Sequence, residues 1–235
     1  MHLVREMHSL NQKIWQVLHR LGEQADKERL GKVTVPDNER MLAITSDTGI
    51  YFNIMLKATR AKRILEVGTS TGNSTLWFCD AIKHNISAGD HFDGSKKMII
   101  TIEANPDKVR RARKNFDEAG VSDMVEIREG IAMDVLKEML ANYQNTKNRN
   151  DGNHPAVPFD FVFLDADKEN ATNYFDLIFP MVRVGGIIAA DNILYPEDCV
   201  PEMTKYSKYV KNRSDVESVT VPIGNGEEIT IKLGP

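Results

Sequence analysis

Two apolar runs in this chain end on acids. Phe159-Asp-Phe-Val-Phe-Leu164 leads into Asp165-Ala-Asp167-Lys168, and Val184-Gly-Gly-Ile-Ile-Ala-Ala190 leads into Asp191-Asn192. Read as strands of an open α/β sheet, both end where such sheets collect ligands, outside the carboxyl ends of the strands. If the two strands are neighbours, about 4.8 Å apart, Asp165, Asp191 and Asn192 can converge on one cation. Two carboxylates and an amide oxygen are hard donors, which suit Mg²⁺ foremost, and Mn²⁺ or Ca²⁺, better than zinc. The alternative is that each acid caps the helix that follows it. Lys168 can reach the same place. Beside a dication its pKa can fall far enough for it to accept a proton from a hydroxyl held there; elsewhere it is an ordinary surface lysine.

A second constellation lies upstream, where Arg63-Ile-Leu-Glu66-Val67 runs into Gly68-Thr69-Ser70-Thr71-Gly72 and then Ser74 and an apolar helical run. Glycines between a strand and a helix let backbone approach a ligand, and helix N–H groups point outward there. A nucleotide-like cofactor is implied, although a simple tight turn would use the same residues. The spacing is Gly-x-x-x-Gly, and Ser70 stands where the dinucleotide fingerprint has its second glycine. An acid just ahead of the turn disfavours a pyrophosphate and favours a cationic group. Glu103, closing the next strand, can accept both hydroxyls of a ribose, or be a solvated loop residue.

The elements that must position these groups alternate. Strands are predicted over 63–67, 97–103, 125–128, 159–165 and 184–191, with helices over 74–79, 107–119, 132–142 and 174–181 between them. That β-then-α order implies a mostly parallel sheet with helices on both faces. Residues 218–223 and 228–233, joined by Gly224-Asn-Gly-Glu227, read as a terminal antiparallel hairpin. Leu10, Ile14, Val17, Leu18 and Leu21 have helical spacing, and 41–59 reads as one or two further helices with Ile50, Ile54 and Met55 on one face. Residues 85–96 and 143–158 read as loops. One domain is expected over 1–235, with a helical cover over 1–60 and a binding core over 61–235.

Composition narrows the class without identifying the chemistry. The hydrophobic fraction is 41% and the charged fraction 27%, as in ordinary globular proteins. A net charge of -4 argues against nucleic acid as a partner. Cys79 and Cys199 have no ligand-pair spacing, no apolar stretch reaches the length of a membrane span, and the first residues lack the apolar core of a signal peptide. A cytoplasmic protein with free thiols and no membrane partner is the expectation.

Taken in order, these motifs resemble the cation-dependent O-methyltransferases, the family of the plant caffeoyl-CoA and animal catechol enzymes. The resemblance runs from about Met41 to Leu233 and rests on Glu66 to Gly72 with Ser74, Arg128-Glu-Gly130-Ile131-Ala132, Asp165-Ala-Asp-Lys168, Val184-Gly-Gly with Asp191-Asn192, and Pro222-Ile-Gly-Asn-Gly226. It implies a Rossmann-like, doubly wound seven-stranded sheet with a reversed last strand, in a homodimer, using S-adenosylmethionine and a divalent cation on a small phenolic or catecholic acceptor. By position, Glu66, Gly68, Thr69 and Ser74 would hold the methionine end of the cofactor, with Thr45 near a further contact. Glu103 and Ala104 would take the ribose, Gly130, Ile131 and Ala132 the adenine, and Asp165, Asp167 and Tyr174 would also face the cofactor. Asp165, Asp191 and Asn192 would bind the metal, and Lys168 would be the base, with Asp165 beside it.

The chain also departs from that pattern. Plant enzymes carry an Asn-Gly pair shortly after the metal Asp-Asn, where Tyr195-Pro196-Glu197 stands here, which speaks against caffeoyl-CoA itself as acceptor. A proline there is closer to the catechol enzymes, but their glutamate-bearing segment is not recognisable in the residues beyond Pro196. The loop after Pro196 and the N-terminal helix are expected to form the substrate lid. Three rivals share parts of this reading. They are a nicotinamide-dependent oxidoreductase, a nucleic-acid methyltransferase and a non-catalytic S-adenosylmethionine-binding protein.

Overall fold

A computed structural model describes residues 11–36, 39–89, 98–148 and 157–234. Its strands are β1 (Ile64–Val67), β2 (Ile99–Glu103), β3 (Val125–Glu129), β4 (Phe159–Leu164), β5 (Val182–Ala190), β6 (Val216–Val221) and β7 (Glu227–Lys232). Its helices are α1 (Gln12–Arg29), α2 (Ser46–Ala58), α3 (Asn73–Ser87), α4 (Pro106–Ala119), α5 (Ala132–Asn148), α6 (Ala171–Ile178) and α7 (Val200–Lys211). The seven strands form one sheet in the order β3-β2-β1-β4-β5-β7-β6. Pairing is parallel from β3 through β5, while β7 runs antiparallel to both β5 and β6. This is the doubly wound sheet and terminal hairpin that the alternating pattern predicts.

Alternation along the buried strands divides the core. Ile64, Ile99, Phe161, Phe163 and Ala189 face α1 to α4, whereas Leu65, Ile100, Val162, Leu164 and Ile188 face α5 to α7. Residues buried on both faces explain why the central strands read as largely apolar runs. Helix α4 shows how local chemistry sets the boundaries. Asn105 caps it by accepting from the N–H groups of Asp107 and Lys108, Pro106 opens it, and Gly120 closes it at φ +66°.

Several boundaries differ from those expected. Helix α3 continues through Asn85 to Ser87 and α5 through Tyr143 to Asn148, so parts of both predicted loops are helical; residues 90–97 and 149–156 lie outside the described residues. In α2 the buried side is Thr48, Gly49, Phe52, Asn53 and Leu56; of the expected face, Ile50 and Met55 pack partly buried against the core and Ile54 is exposed. Two polar residues, Thr48 and Asn53, lie on that inner face, which hid its direction. Helix α1 buries Ile14, Val17, Leu18 and Leu21 as expected and packs on α3 and α4; Leu10 lies outside the described residues. The segment after Pro196 carries a full helix, α7, that buries Met203, Tyr206 and Val210.

Candidate active site

The sheet order reverses between β1 and β4, and the carboxyl ends of those strands bring the glycine turn against the acidic box. Gly68 has φ +106°, and a Cβ there would lie 2.1 Å from the carbonyl oxygen of Asp165, so the turn can pass β4 only without a side chain. At its far end Gly72, φ +85°, would collide with the Phe116 ring if it carried a Cβ. Ser70 is itself left-handed, at φ +48°. Its hydroxyl donates to the carbonyl of Met41 and its N–H to Glu103 Oε2 at 2.8 Å. The serine side chain therefore occupies the point where a dinucleotide would need bare backbone.

Glu66 lies behind this turn, 0% exposed, and accepts from the hydroxyls of Ser74, Thr75 and Thr101. Burial pushes its pKa up to about 7 against the pull of those donors. Thr69 is also turned inward, its hydroxyl 2.6 Å from that of Thr101. The side chains of Glu66, Thr69 and Ser74 thus fix the turn from within, and what the turn offers outward is its backbone. Thr45 caps α2, its hydroxyl accepting from Thr48 N–H at 3.2 Å.

Glu103 sits at the end of β2, with its two oxygens accepting the N–H groups of Ser70 and Asn105. Ala104 beside it is exposed. The carbonyl of Glu103 accepts Gly130 N–H at 2.9 Å, bringing the end of β3 alongside. There Gly130 adopts φ +147° and Ile131 is 64% exposed, while Ala132 is half-buried at the start of α5. A large aliphatic side chain left in solvent on the rim of this crevice is a surface a flat apolar group would cover.

Strands β4 and β5 are neighbours, with Leu164 opposite Ala190, so Asp165 and Asp191 emerge side by side. Lys168 Nζ donates to Asp165 Oδ1 at 2.7 Å from a short 3₁₀ turn over Lys168–Asn170. Burial would lower the lysine's pKa, but Asp165 and Asp191 outweigh it and hold the ammonium above its ordinary range. Asp191 is 3% exposed, and burial together with the charge of Asp165 pushes it up to about 7. Asn192, left-handed at φ +68°, donates its N–H to Asp191 Oδ1 at 2.6 Å and its Nδ2 to the carbonyl of Tyr195 at 3.1 Å. Asp167 is exposed and bonded to the hydroxyl of Tyr174 and to Asn170. Among the described residues, no three acidic, histidine or cysteine side chains already stand at metal-holding positions.

One residue at this place was not singled out by its sequence context. Glu227, the first residue of β7, is 0% exposed and lies in the field of Asp191 and Asp165. A glutamate beside the hairpin turn Gly224-Asn-Gly226 reads as a solvated turn residue, and only the antiparallel placement of β7 against β5 carries it inside.

Comparison with known proteins agrees with this geometry. The O-methyltransferase family model matches residues 21–233. A catechol O-methyltransferase of Niastella koreensis is 32% identical over 153 residues, which take in 65% of this chain and 59% of that protein. Caffeoyl-CoA O-methyltransferase 1 of Zea mays is 28% identical over 219 residues, covering 87% of this chain and 77% of that one. Among solved structures, the O-methyltransferase TomG from Streptomyces achromogenes, in complex with SAM, superposes with a TM-score of 0.68 at 25% identity over 99% of this chain and 93% of that one. An O-methyltransferase from Bacillus cereus, in complex with SAH, shares the fold with a TM-score of 0.66 at 22% identity, over 98% of this chain and 93% of that one. The family match runs through every strand from β1 to β7, and the chain belongs to the O-methyltransferase family.

Proposed function

We propose that this O-methyltransferase moves a methyl group from S-adenosylmethionine to a hydroxyl of a small catechol-like or phenolic acceptor, with a divalent cation at the ends of β4 and β5. The observation that carries the reading is the meeting of Asp165, Lys168 and Asp191 directly beside the Gly68 turn at the reversal of the sheet order. The catechol and caffeoyl-CoA relatives support the acceptor class, and the SAM-bound neighbour supports the cofactor.

The residues fit both groups. For the cofactor there is a cradle at Gly68 that a Cβ would fill, a fixed carboxylate at Glu103 and an apolar shelf at Ile131. When bound, it supplies an electrophilic methyl group on a sulfonium. For the cation, Asp165, Asp191 and Asn192 are hard oxygen donors, and Asp191 is a buried acid whose charge needs a counterion. When bound, it supplies Lewis acidity that lowers the pKa of an acceptor hydroxyl.

Lys168 stays charged for as long as Asp165 holds it at 2.7 Å. As general base its Nζ would take the acceptor's hydroxyl proton, and Asp165, which would also help to hold the cation, is the group whose grip on the ammonium sets its basicity. The walled-in turn at Glu66 keeps the donor side rigid, so positioning carries much of the rate. A homodimer and a cytoplasmic location complete the proposal. Among the described residues no helix is long and apolar enough to cross a membrane.

The test is transfer from labelled S-adenosylmethionine to a panel of catechols and caffeoyl esters with Mg²⁺, with Mn²⁺ and with EDTA. The reading expects labelling that EDTA abolishes and that Lys168→Ala and Asp165→Ala each lower by at least about a hundredfold. Labelling undiminished by EDTA would remove the cation from the mechanism.

A further inference from the structure

Two adjacent glutamates open β7, and the fold treats them differently. Glu228 is fully buried and furnished with donors, taking hydroxyls from Ser207 at 2.8 Å and from Ser218 and Thr220 at 2.6 Å, with Lys211 Nζ at 3.1 Å. Glu227 is as deeply buried, yet neither of its carboxylate oxygens has a hydrogen-bond partner. Thr48 on α2 and Asp191 are close by, but neither provides a bond of proper geometry. A buried carboxyl left without partners is costly even when neutral, and more so when charged.

Its position is tightly determined. Ala190 pairs with Glu228 in the antiparallel register, so the next step of that register sets Asp191 opposite Glu227. The hairpin turn is stitched to the chain after Asp191. Ile193 N–H donates to Gly226 at 3.0 Å, and the N–H groups of Leu194 and Tyr195 donate to Asn225 at 2.9 and 3.0 Å. On its other side the turn lies against α2, since a Cβ on Gly224 would meet Thr48 Oγ1 at 2.1 Å. Glu227 is therefore held facing the acids of β4 and β5 by backbone, with no side-chain bond of its own to break.

We propose that Glu227 is a further ligand of the divalent cation, joining Asp165, Asp191 and Asn192 in an all-oxygen set with three carboxylates. The inference rests on the metal-dependent reading of the site. Three carboxylates balanced by the Lys168 ammonium and one dication make the site neutral before the acceptor arrives. The orphaned oxygens gain their partner in the cation, which accounts for a glutamate kept where an apolar residue would pack without penalty.

The test uses the full-length protein and Mn²⁺ alone, with binding read from the loss of the free-ion electron paramagnetic resonance signal and melting temperatures recorded with EDTA. Glu227→Gln is expected to weaken Mn²⁺ binding by about tenfold or more, while its metal-free melting temperature stays level or rises. Glu227→Leu serves as the second variant, expected to melt higher without metal and to bind Mn²⁺ as weakly. Asp191→Asn should weaken binding as well. If wild type binds Mn²⁺, Asp191→Asn loses it, and both Glu227 variants bind within twofold of wild type, Glu227 is not a ligand and the metal-dependent reading survives. If wild type itself fails to bind Mn²⁺, both fall together.

Discussion

Glu66 shows what burial does to an acid that the sequence places just before a glycine turn. In the fold it accepts from Ser74, Thr75 and Thr101, and burial raises its pKa from 4.5 to about 7. A carboxyl whose folded-state pKa is raised stabilises fully below its unfolded value and loses that contribution as pH rises to the folded value. Between pH 4.5 and 7 this group should therefore withdraw about 3 kcal/mol of stability. Urea unfolding at pH 4.5 and pH 8 should show wild type losing that much more than Glu66→Gln; equal losses would mean the carboxyl is ionised in the fold at both values. Gly68→Ala tests the other half of the turn. It puts a Cβ 2.1 Å from a backbone carbonyl at φ +106°, and neither strand can retreat, so at least about 3 kcal/mol of stability should be lost in the same assay. The acids at 165 and 191 are legible because each directly follows at least four apolar residues, 161–164 and 187–190. Glu227 was hidden because burial of a turn-flanking acid depends on strand pairing, which no local pattern records.

At the scale of elements, the strands and the doubly wound order followed from apolar runs buried on both faces, and the hairpin from its Asn-Gly turn. Helix α7 was missed because Val200-Pro-Glu-Met203 opens with a proline after a loop, and its inward Tyr206 and Ser207 blur the apolar stripe. The face of α2 is only partly legible for a related reason, since its contact with α3 is polar as well as close. Asn53 Nδ2 donates to the carbonyl of Trp77 at 2.9 Å and to Asp80 Oδ2 at 3.0 Å, and Lys57 reaches the same carboxylate at 2.9 Å. A Cβ on Gly49 would strike the Trp77 ring at 2.3 Å, so this helix pair packs nearly backbone to ring. Asn53→Ala leaves a buried carbonyl and a buried carboxylate each short of a donor and should cost about 2–4 kcal/mol in urea unfolding. Because α2 also lays Thr45 and Thr48 against the Gly224 turn, Mn²⁺ affinity should fall with it. A variant that is destabilised yet binds Mn²⁺ normally would show that the hairpin holds its place without α2.

The whole molecule is one sheet between two helical layers, and neither layer has a strand to itself. Phe161 and Phe163 project into the layer of α1 to α4, while Val162 and Leu164 from the same strand project into that of α5 to α7. Loss of either layer would expose half of the residues in β1, β2, β4 and β5 to water, so the two should melt as one unit. The two tryptophans allow this to be checked, because Trp15 and Trp77 lie on α1 and α3, both in the first layer. Phe175 is fully buried in the second layer, against Phe179, Tyr206 and Tyr209. Phe175→Ala should cost about 3–5 kcal/mol. Tryptophan fluorescence, which sees only the opposite layer, should report the same shift in urea midpoint as far-ultraviolet circular dichroism, which sees the whole chain. Should the fluorescence midpoint stay at its wild-type value while the dichroism midpoint falls, the layers would be separable. The carboxyl end of the sheet, which carries Glu103 on β2 and Asp191 after β5, could then lose one side without unfolding the glycine turn after β1.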